Sequence, residues 1–391
     1  MNIIDQIARY EGELSNWRRD IHAHPELGFE ENRTADIVAD KLSSWGIDVH
    51  RGLAKTGVVG TLRSGNSTRA IGLRADLDAL PMAEHNTFDH RSRHDGKMHA
   101  CGHDGHTTML LGAARYLAET RNFEGCIYFI FQPAEEGIGG AKAMIADGLF
   151  EQFPMEAVYG MHNSPGLPVG QFAIRPGPMM AGGAFFDIHI TGKGSHGARP
   201  EASVDPVVIA AQLTTALQTI VSRNSNPNDT VVLSVTRLQA GDAYNVIPQD
   251  AQLGGTVRVF SRITTQLVEQ RMRELATGIA TAFGATATVD FRENFLPLVN
   301  TPAEAAFVAD VAATLVGEAQ VERNRSLIMA SEDFSYMLDV CPGAYINIGN
   351  GDAEHNCQVH NPRYDFNDSI LTLGASYWAR LAETKLARTD A

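Results

Sequence analysis

The chain is poor in cysteine, in tryptophan and in positive charge. Four cysteines in 391 residues (Cys101, Cys126, Cys341 and Cys357) are too few for a disulfide framework, which excludes a small secreted scaffold and points to a reducing cytoplasm. Lysine and arginine number 32 against 46 acids, a net charge of −14. No basic run compensates, so a phosphate backbone is repelled and nucleic acid is not an expected partner. Long apolar runs are missing as well. The uncharged stretch Pro206 to Ser222 contains Gln and Thr and falls short of the roughly 20 apolar residues that cross a bilayer. The first residues, MNIIDQIARYEGELSNWRRD, carry charges every few positions and lack the unbroken apolar stretch of a signal peptide. Neither membrane insertion nor export is expected.

What is present is length, apolar content and histidine. With 391 residues and 44% hydrophobic content, the chain suffices for two medium domains at roughly 100–200 residues each. Apolar runs at Val58–Leu62, Ile71–Leu73, Ile127–Phe131 and Val158–Gly160 alternate with helical patterns such as Thr107–Glu119, which predicts a layered α/β domain with a mostly parallel sheet. From Gly183 the pattern changes. Strand-like Ala184–Ile190, a helix after Asp205–Pro206, strands Thr230–Leu238 and Gly254–Val259, a helix over Thr264–Phe283 and a strand at Ala287–Phe291 follow in turn. That β-α-β-β-α-β order is the split βαβ, ferredoxin-like unit. Helices then return, with a strand at Ala344–Ile348 and a last helix over Ser369–Lys385. The expected organisation is a catalytic, metal-binding domain of residues 1–181 and 294–391, interrupted by an inserted α+β domain of residues 182–293.

Acids and histidines stand just after strands: Asp76 and Asp78, Glu135 and Glu136, His162, and His360. In open α/β sheets ligands bind outside the carboxyl ends of the strands, so these groups can converge. Of the 14 histidines, six fall between His85 and His106. In His99-Ala-Cys-Gly-His-Asp-Gly-His106 a thiolate and an imidazole two residues apart, flanked by glycines, suit a borderline-soft divalent metal; a polar loop with a packed cysteine is the bland alternative. His85, His90 and His94, without regular spacing in a polar loop, are expected to be solvated. Glu135 and Glu136 follow a very apolar strand. In an extended segment their side chains would point oppositely, one toward a metal and one toward a water. Alone, His196 in a glycine-rich loop, Asn245 before a strand and Arg258 within one carry no chemical signal, and Cys341 and Cys357 are expected to pack in the core.

Taken together, Arg19-Asp-Ile-His-Ala-His-Pro-Glu-Leu-Gly-Phe-Glu30, Arg74-Ala-Asp-Leu-Asp-Ala-Leu-Pro-Met82, Met98-His-Ala-Cys-Gly-His-Asp-Gly-His106, Phe131-Gln-Pro-Ala-Glu-Glu-Gly137, Gly194-Ser-His-Gly-Ala-Arg-Pro200, Asn245-Val-Ile-Pro248, Ser331-Glu-Asp-Phe334 and His360-Asn-Pro-Arg-Tyr-Asp-Phe366 resemble the M20 family of metallopeptidases and amidohydrolases. The branch resembled contains hippurate hydrolases, aminoacylases and indole-acetyl-amino-acid hydrolases. The resemblance implies two divalent metal ions per subunit (Zn, Mn, Co or Ni) held by Cys101, His103, Glu136, His162 and His360, with Asp76 and Asp78 orienting those ligands. It implies Glu135 as general base and acid, and His196 as an oxyanion donor reaching a neighbouring subunit's active site from a lid that also dimerises. Asn245 and Arg258 are the implied partners of a substrate carboxylate. The implied reaction is hydrolysis of N-acyl amino acids by a metal-activated water in a cytoplasmic homodimer or higher oligomer. A metallo-carboxypeptidase or dipeptidase of the same family, a catalytically inactive binding member, and a cysteine hydrolase using Cys101 are the alternatives.

Overall fold

The computed structural model describes residues 1–352 and 357–388. They divide into two compact units, the first comprising residues 1–179, 299–326 and the described part of 333–391, the second residues 180–298 and 327–332. The first unit opens with helices α1 (Glu11–Ala23) and α2 (Asn32–Ser44), strands β1 (Asp48–Leu53), β2 (Gly57–Ser64) and β3 (Ala70–Asp76), and helix α3 (His103–Thr120). Strands β4 (Gly125–Gln132), β5 (Ala157–Pro165) and the short β6 (Phe172–Ala173) follow. The second unit contributes β7 (Gly182–Thr191), α4 (Pro206–Thr219), β8 (Val231–Ala240), β9 (Asp250–Val259), α5 (Arg262–Ala282) and β10 (Thr286–Phe295). The chain returns with α6 (Pro302–Val316), β11 (Val321–Glu322), β12 (Gly343–Gly351) and α7 (Leu371–Lys385).

The first unit is built on an eight-stranded sheet in the order β1-β2-β4-β3-β5-β12-β6-β11. Its centre, β4-β3-β5-β12, is parallel, whereas β1 and β2 join antiparallel and β6 meets β12 antiparallel. The expected parallel character therefore holds for the middle of the sheet and for the short β6–β11 pair at its edge. Every residue of β3, β4 and β12 is buried, as required of parallel strands covered on both faces, and this is why they read as continuous apolar runs. Helix α3 packs on β3 and against α1 and α7, while α2 packs on β1 and β2.

The second unit is a four-stranded antiparallel sheet in the order β8-β9-β7-β10. Numbered by succession within the unit the order is second, third, first, fourth, the split βαβ arrangement. Helix α4 begins cleanly because the Asp205 carboxylate accepts the Val207 N–H and Pro206 supplies a preset first turn. Helix α5 is capped likewise by Ser261 on the Thr264 N–H. Along β7, Phe186, Ile188 and Ile190 are buried while Phe185 and His189 are exposed, the alternation of a sheet with one wet face. Phe186, Ile188, Leu213, Leu253, Val257 and Met272 form its core with no more than 1% exposure each. No described helix is long and apolar enough to cross a membrane.

Leu253, fully buried in this small core, sets a test of the unit's integrity. Leu253→Ala should destabilise the second unit by about 2–5 kcal/mol, read as a lowered denaturant midpoint.

Candidate metal centre and catalytic acids

The loop into α3 is shaped by Gly102, whose φ of 96° is left-handed and whose added Cβ would lie 2.2 Å from Asn163 Oδ1; only glycine permits that approach. It turns Cys101 and His103 inward, both buried. His162 stands within β5, not after it, and its Nε2 lies 3.3 Å from Cys101 Sγ. Its Nδ1 donates to the Asn163 carbonyl at 2.6 Å, so Nε2 carries the free lone pair. His103 follows the same rule: Nδ1 donates to the Asp78 carbonyl at 2.8 Å. Its buried Nε2 has no hydrogen-bond partner, the Asp76 carboxylate lying beyond reach at 3.8 Å. Both imidazoles thus spend Nδ1 on a backbone carbonyl and leave Nε2 for the cluster.

Glu135 and Glu136 differ from the expectation of an extended segment. They occupy a turn, closed by the Gly137 N–H on the Glu135 carbonyl at 2.6 Å, because Ala134 adopts a left-handed φ of 55°. Glu135 is buried, with Oε1 accepting the Asp333 N–H at 3.2 Å. Glu136 donates its backbone N–H to Asp78 Oδ2 at 3.0 Å. His360 lies well beyond the end of β12, on irregular chain with φ 63° and a side chain 52% exposed. Its N–H donates to the Ala100 carbonyl at 2.7 Å, and its Nε2 lies 3.2 Å from Glu136 Oε1.

Ligand atoms of Cys101, His103 and His162 all lie within 4.8 Å of one another, as do those of Cys101, Glu136 and His360, and those of His103, Glu135 and Glu136. Cys101 belongs to two of these groups. One thiol, three imidazoles and two carboxylates therefore form a continuous cluster of the donor types that borderline divalent metals prefer. The orphaned His103 Nε2 is a donor of the type that fits a divalent cation.

Charge follows from burial. Burial, reinforced by His106, holds His162 well below the ordinary imidazole range. Burial also opposes the His103 imidazolium, but Asp76, Asp78 and Glu136 outweigh it and push the group up to about 10. Burial pushes Asp76 upward, yet His103, Arg74 and His106 hold it well below the carboxylate range. A neutral His162 offers a lone pair suited to a metal and no positive charge to stabilise a thiolate at Cys101.

The second unit holds His196, Asn245 and Arg258, while the cluster lies wholly in the first. His196 is exposed on a short ladder with Val246. Its Nδ1 accepts the Ala198 N–H at 3.1 Å, which leaves a proton on the outward Nε2. Asn245 is exposed beside it, its carbonyl accepting the Gly197 N–H at 2.8 Å. Arg258 is half-buried on β9, and its Nη1 donates to Thr256 Oγ1 at 2.6 Å and the Val257 carbonyl at 2.9 Å.

Of the loop histidines, His85 and His94 are exposed as expected. His90 is not solvated. It stacks on Phe88 at 3.9 Å and meets Arg18 at 3.3 Å, because α1 buries a polar network beneath this loop. There Arg18 donates to Asp365 at 2.8 Å and Asp368 at 2.6 Å, and His22 bonds Asp104 at 2.8 Å and Glu84 at 3.2 Å. His106 is occupied on both ring nitrogens, by Asp76 and Asn163 at 2.7 Å each. Sequence reasoning missed Arg18, His22, Arg74 and Asp104 as parts of this machinery. The four-residue spacing of Arg18 and His22 on one helix face was the available signal.

A cluster of thiol, imidazole and carboxylate beside a central parallel sheet is the donor set of a metal-dependent hydrolase. The profile of peptidase family M20/M25/M40 matches residues 72–384, and the chain belongs to this family. It is 44% identical over 382 residues to hippurate hydrolase of Campylobacter jejuni, covering 98% of this chain and 99% of that one. To IAA-amino acid hydrolase ILR1-like 4 of Arabidopsis thaliana it is 40% identical, covering 96% and 86%. Among solved structures, the Bacillus subtilis YXEP protein, described as a dinuclear metal binding peptidase from the M20 family, superposes with a TM-score of 0.85 at 34% identity, covering 97% and 99%.

The His22 network gives a pH signature. Burial opposes the imidazolium, but Asp104 and Glu84 push His22 from 6.5 up to about 9. The stabilisation is fully present below pH 6.5 and lost as pH rises through about 9. His22→Gln should flatten the alkaline fall of the thermal midpoint; an unchanged slope would remove His22 as its source.

Proposed function

We propose that the protein is a two-metal amidohydrolase of N-acyl amino acids. The observation that carries this reading is the sharing of Cys101 between two groups of ligand atoms, with Glu135 beside them. Cys101, His103 and His162 would hold one divalent cation, and Cys101, Glu136 and His360 the other, with Asp76 and Asp78 orienting the histidines. Bound there, such ions supply the Lewis acidity that brings a water pKa near 7 and polarises an amide carbonyl. The chain's own residues do the rest. Glu135 takes the proton of the attacking water and returns it to the departing amine nitrogen, base and acid in turn. His196, its Nδ1 engaged by the Ala198 N–H, would reach the neighbouring subunit's site and donate from Nε2 to the oxyanion that forms in the transition state. Products are a carboxylic acid and a free amino acid.

The substrate class is supported by the names of the relatives, since hippurate and IAA–amino acid conjugates are both N-acyl amino acids. Such a substrate carries a free carboxylate, which we assign to Asn245 and Arg258. The guanidinium offers a bidentate fork, a local positive charge in a protein of net charge −14. Zinc, manganese, cobalt and nickel all suit this donor set. We read segments 1–181 and 294–391 as the catalytic metal-binding domain and 182–293 as a lid through which the chain forms a homodimer or higher homo-oligomer. Four free cysteines support a cytoplasmic location.

The test is metal stripping by chelator, reconstitution with each of these metals, and assay on a panel of N-acyl amino acids. The stripped protein should be inactive and regain turnover with metal. Glu135→Gln should keep its metal while turnover drops by about 10²–10⁴-fold. Turnover that survives chelation yet is abolished by thiol alkylation would sink the reading. In a separate assay, Arg258→Ala should raise KM for a carboxylate-bearing substrate far more than for its amide; equal changes would free Arg258 from carboxylate recognition.

A further inference from the structure

The turn that carries Glu135 and Glu136 depends on Ala134, whose φ of 55° is unfavourable for any residue with a Cβ and persists only where the surroundings hold it. Both polar groups of that residue's backbone are gripped. Its carbonyl accepts the Gly140 N–H at 2.9 Å. Its N–H donates to Glu31 Oε1 at 2.9 Å, and Glu31 Oε2 takes the Thr56 hydroxyl at 2.5 Å. Glu31 is fully buried. It stands at the N-cap position of α2, yet its side chain makes no capping bond to that helix. No ion pair is found for it among the described residues, and burial pushes its carboxyl up to about 7. A carboxylate placed so unfavourably, away from its local helical role, acts on the turn. Close packing adds to the grip: a Cβ on Gly28 would come within 3.0 Å of Ala134 Cα.

We infer that Glu31 is a positioning residue, holding Ala134 left-handed so that Glu135 and Glu136 face the cluster. The inference rests on the reading of Glu135 as acid and base and of Glu136 as a metal ligand. Ala134 immediately precedes both, so a rotation of its peptide would swing both side chains. Two acceptors are needed at once, one for an N–H and one for an O–H. Glutamine can replace them, because its oxygen can face Ala134 and the threonine hydroxyl can accept from its amide.

The experiment compares Glu31→Gln, Glu31→Ala and Glu135→Gln as full-length, metal-loaded proteins, with kcat, KM, metal content and thermal midpoint measured for each. Glu31→Ala should lower kcat by about ten- to a hundredfold, the scale of a small misplacement of catalytic groups, with KM within about twofold. Glu31→Gln should restore kcat to within about threefold of wild type, the carbonyl replacing one acceptor. Adding Ala134→Gly to Glu31→Ala should recover part of the loss, since glycine keeps a positive φ unaided. A wild-type kcat in Glu31→Ala with Glu135→Gln inactive overturns this inference alone; turnover in Glu135→Gln overturns the reading beneath it as well. Equal losses in the Ala and Gln variants also overturn it. Should Glu31→Ala fail to fold, Thr56→Val carries the test: a few-fold lower kcat at an unchanged thermal midpoint supports the inference, and an unchanged kcat overturns it.

Discussion

One buried guanidinium joins the strand ends on which the site is built. Arg74 donates to Asp76 Oδ2 at 2.6 Å, Asp333 Oδ1 at 3.1 Å and Gln132 Oε1 at 2.8 Å, linking β3, the end of β4 and the segment before β12. Through Asp76 it reaches His106, and through the Asp333 backbone it reaches Glu135. Gln132 closes the circuit by donating to Asp333 at 2.8 Å. Arg74, Asp76 and Asp333 are each at most 1% exposed. In such surroundings a carboxylate left unpaired costs on the order of 3–5 kcal/mol, so the cation holds the acids in place before any ligand arrives.

The histidines sort by what already occupies their ring nitrogens. His106 has partners on both sides, and His22 likewise. His103 and His162 each spend one nitrogen on a backbone carbonyl and keep the other for the cluster. His99, fully buried, has a partner on neither, and burial pushes it down to about 4. Backbone carbonyls thus orient both rings, and at His103 the Asp78 carboxylate stands beside the same nitrogen at 3.3 Å.

Much of this was legible in the chain. The buried strands announced themselves as apolar runs and the second unit by its order of elements, whereas Cys101, His103, Glu136, His162 and His360 came together as one set only through the resemblance to the M20 family. What could not be read there was conformation at single residues and charge in the interior. Glu135 and Glu136 sit in a turn because of one torsion at Ala134, and an alanine gives no hint of a left-handed backbone. Arg18 and His22 look like the wet face of a charged helix until Asp104, Asp365 and Asp368 are seen to meet them. Apolar periodicity registers cores held by carbon and is blind to a core held by ions.

The shared position of Cys101 has a cost. Sulfur is the one donor of the cluster that mild oxidants alter covalently, through sulfenic and then irreversible acids. A single oxidised atom would take a donor from both groups at once, where loss of His162 or His360 would touch only one. The durability of the site is therefore a matter of redox exposure at one atom, and the 7% exposure of Cys101 acts as its shield.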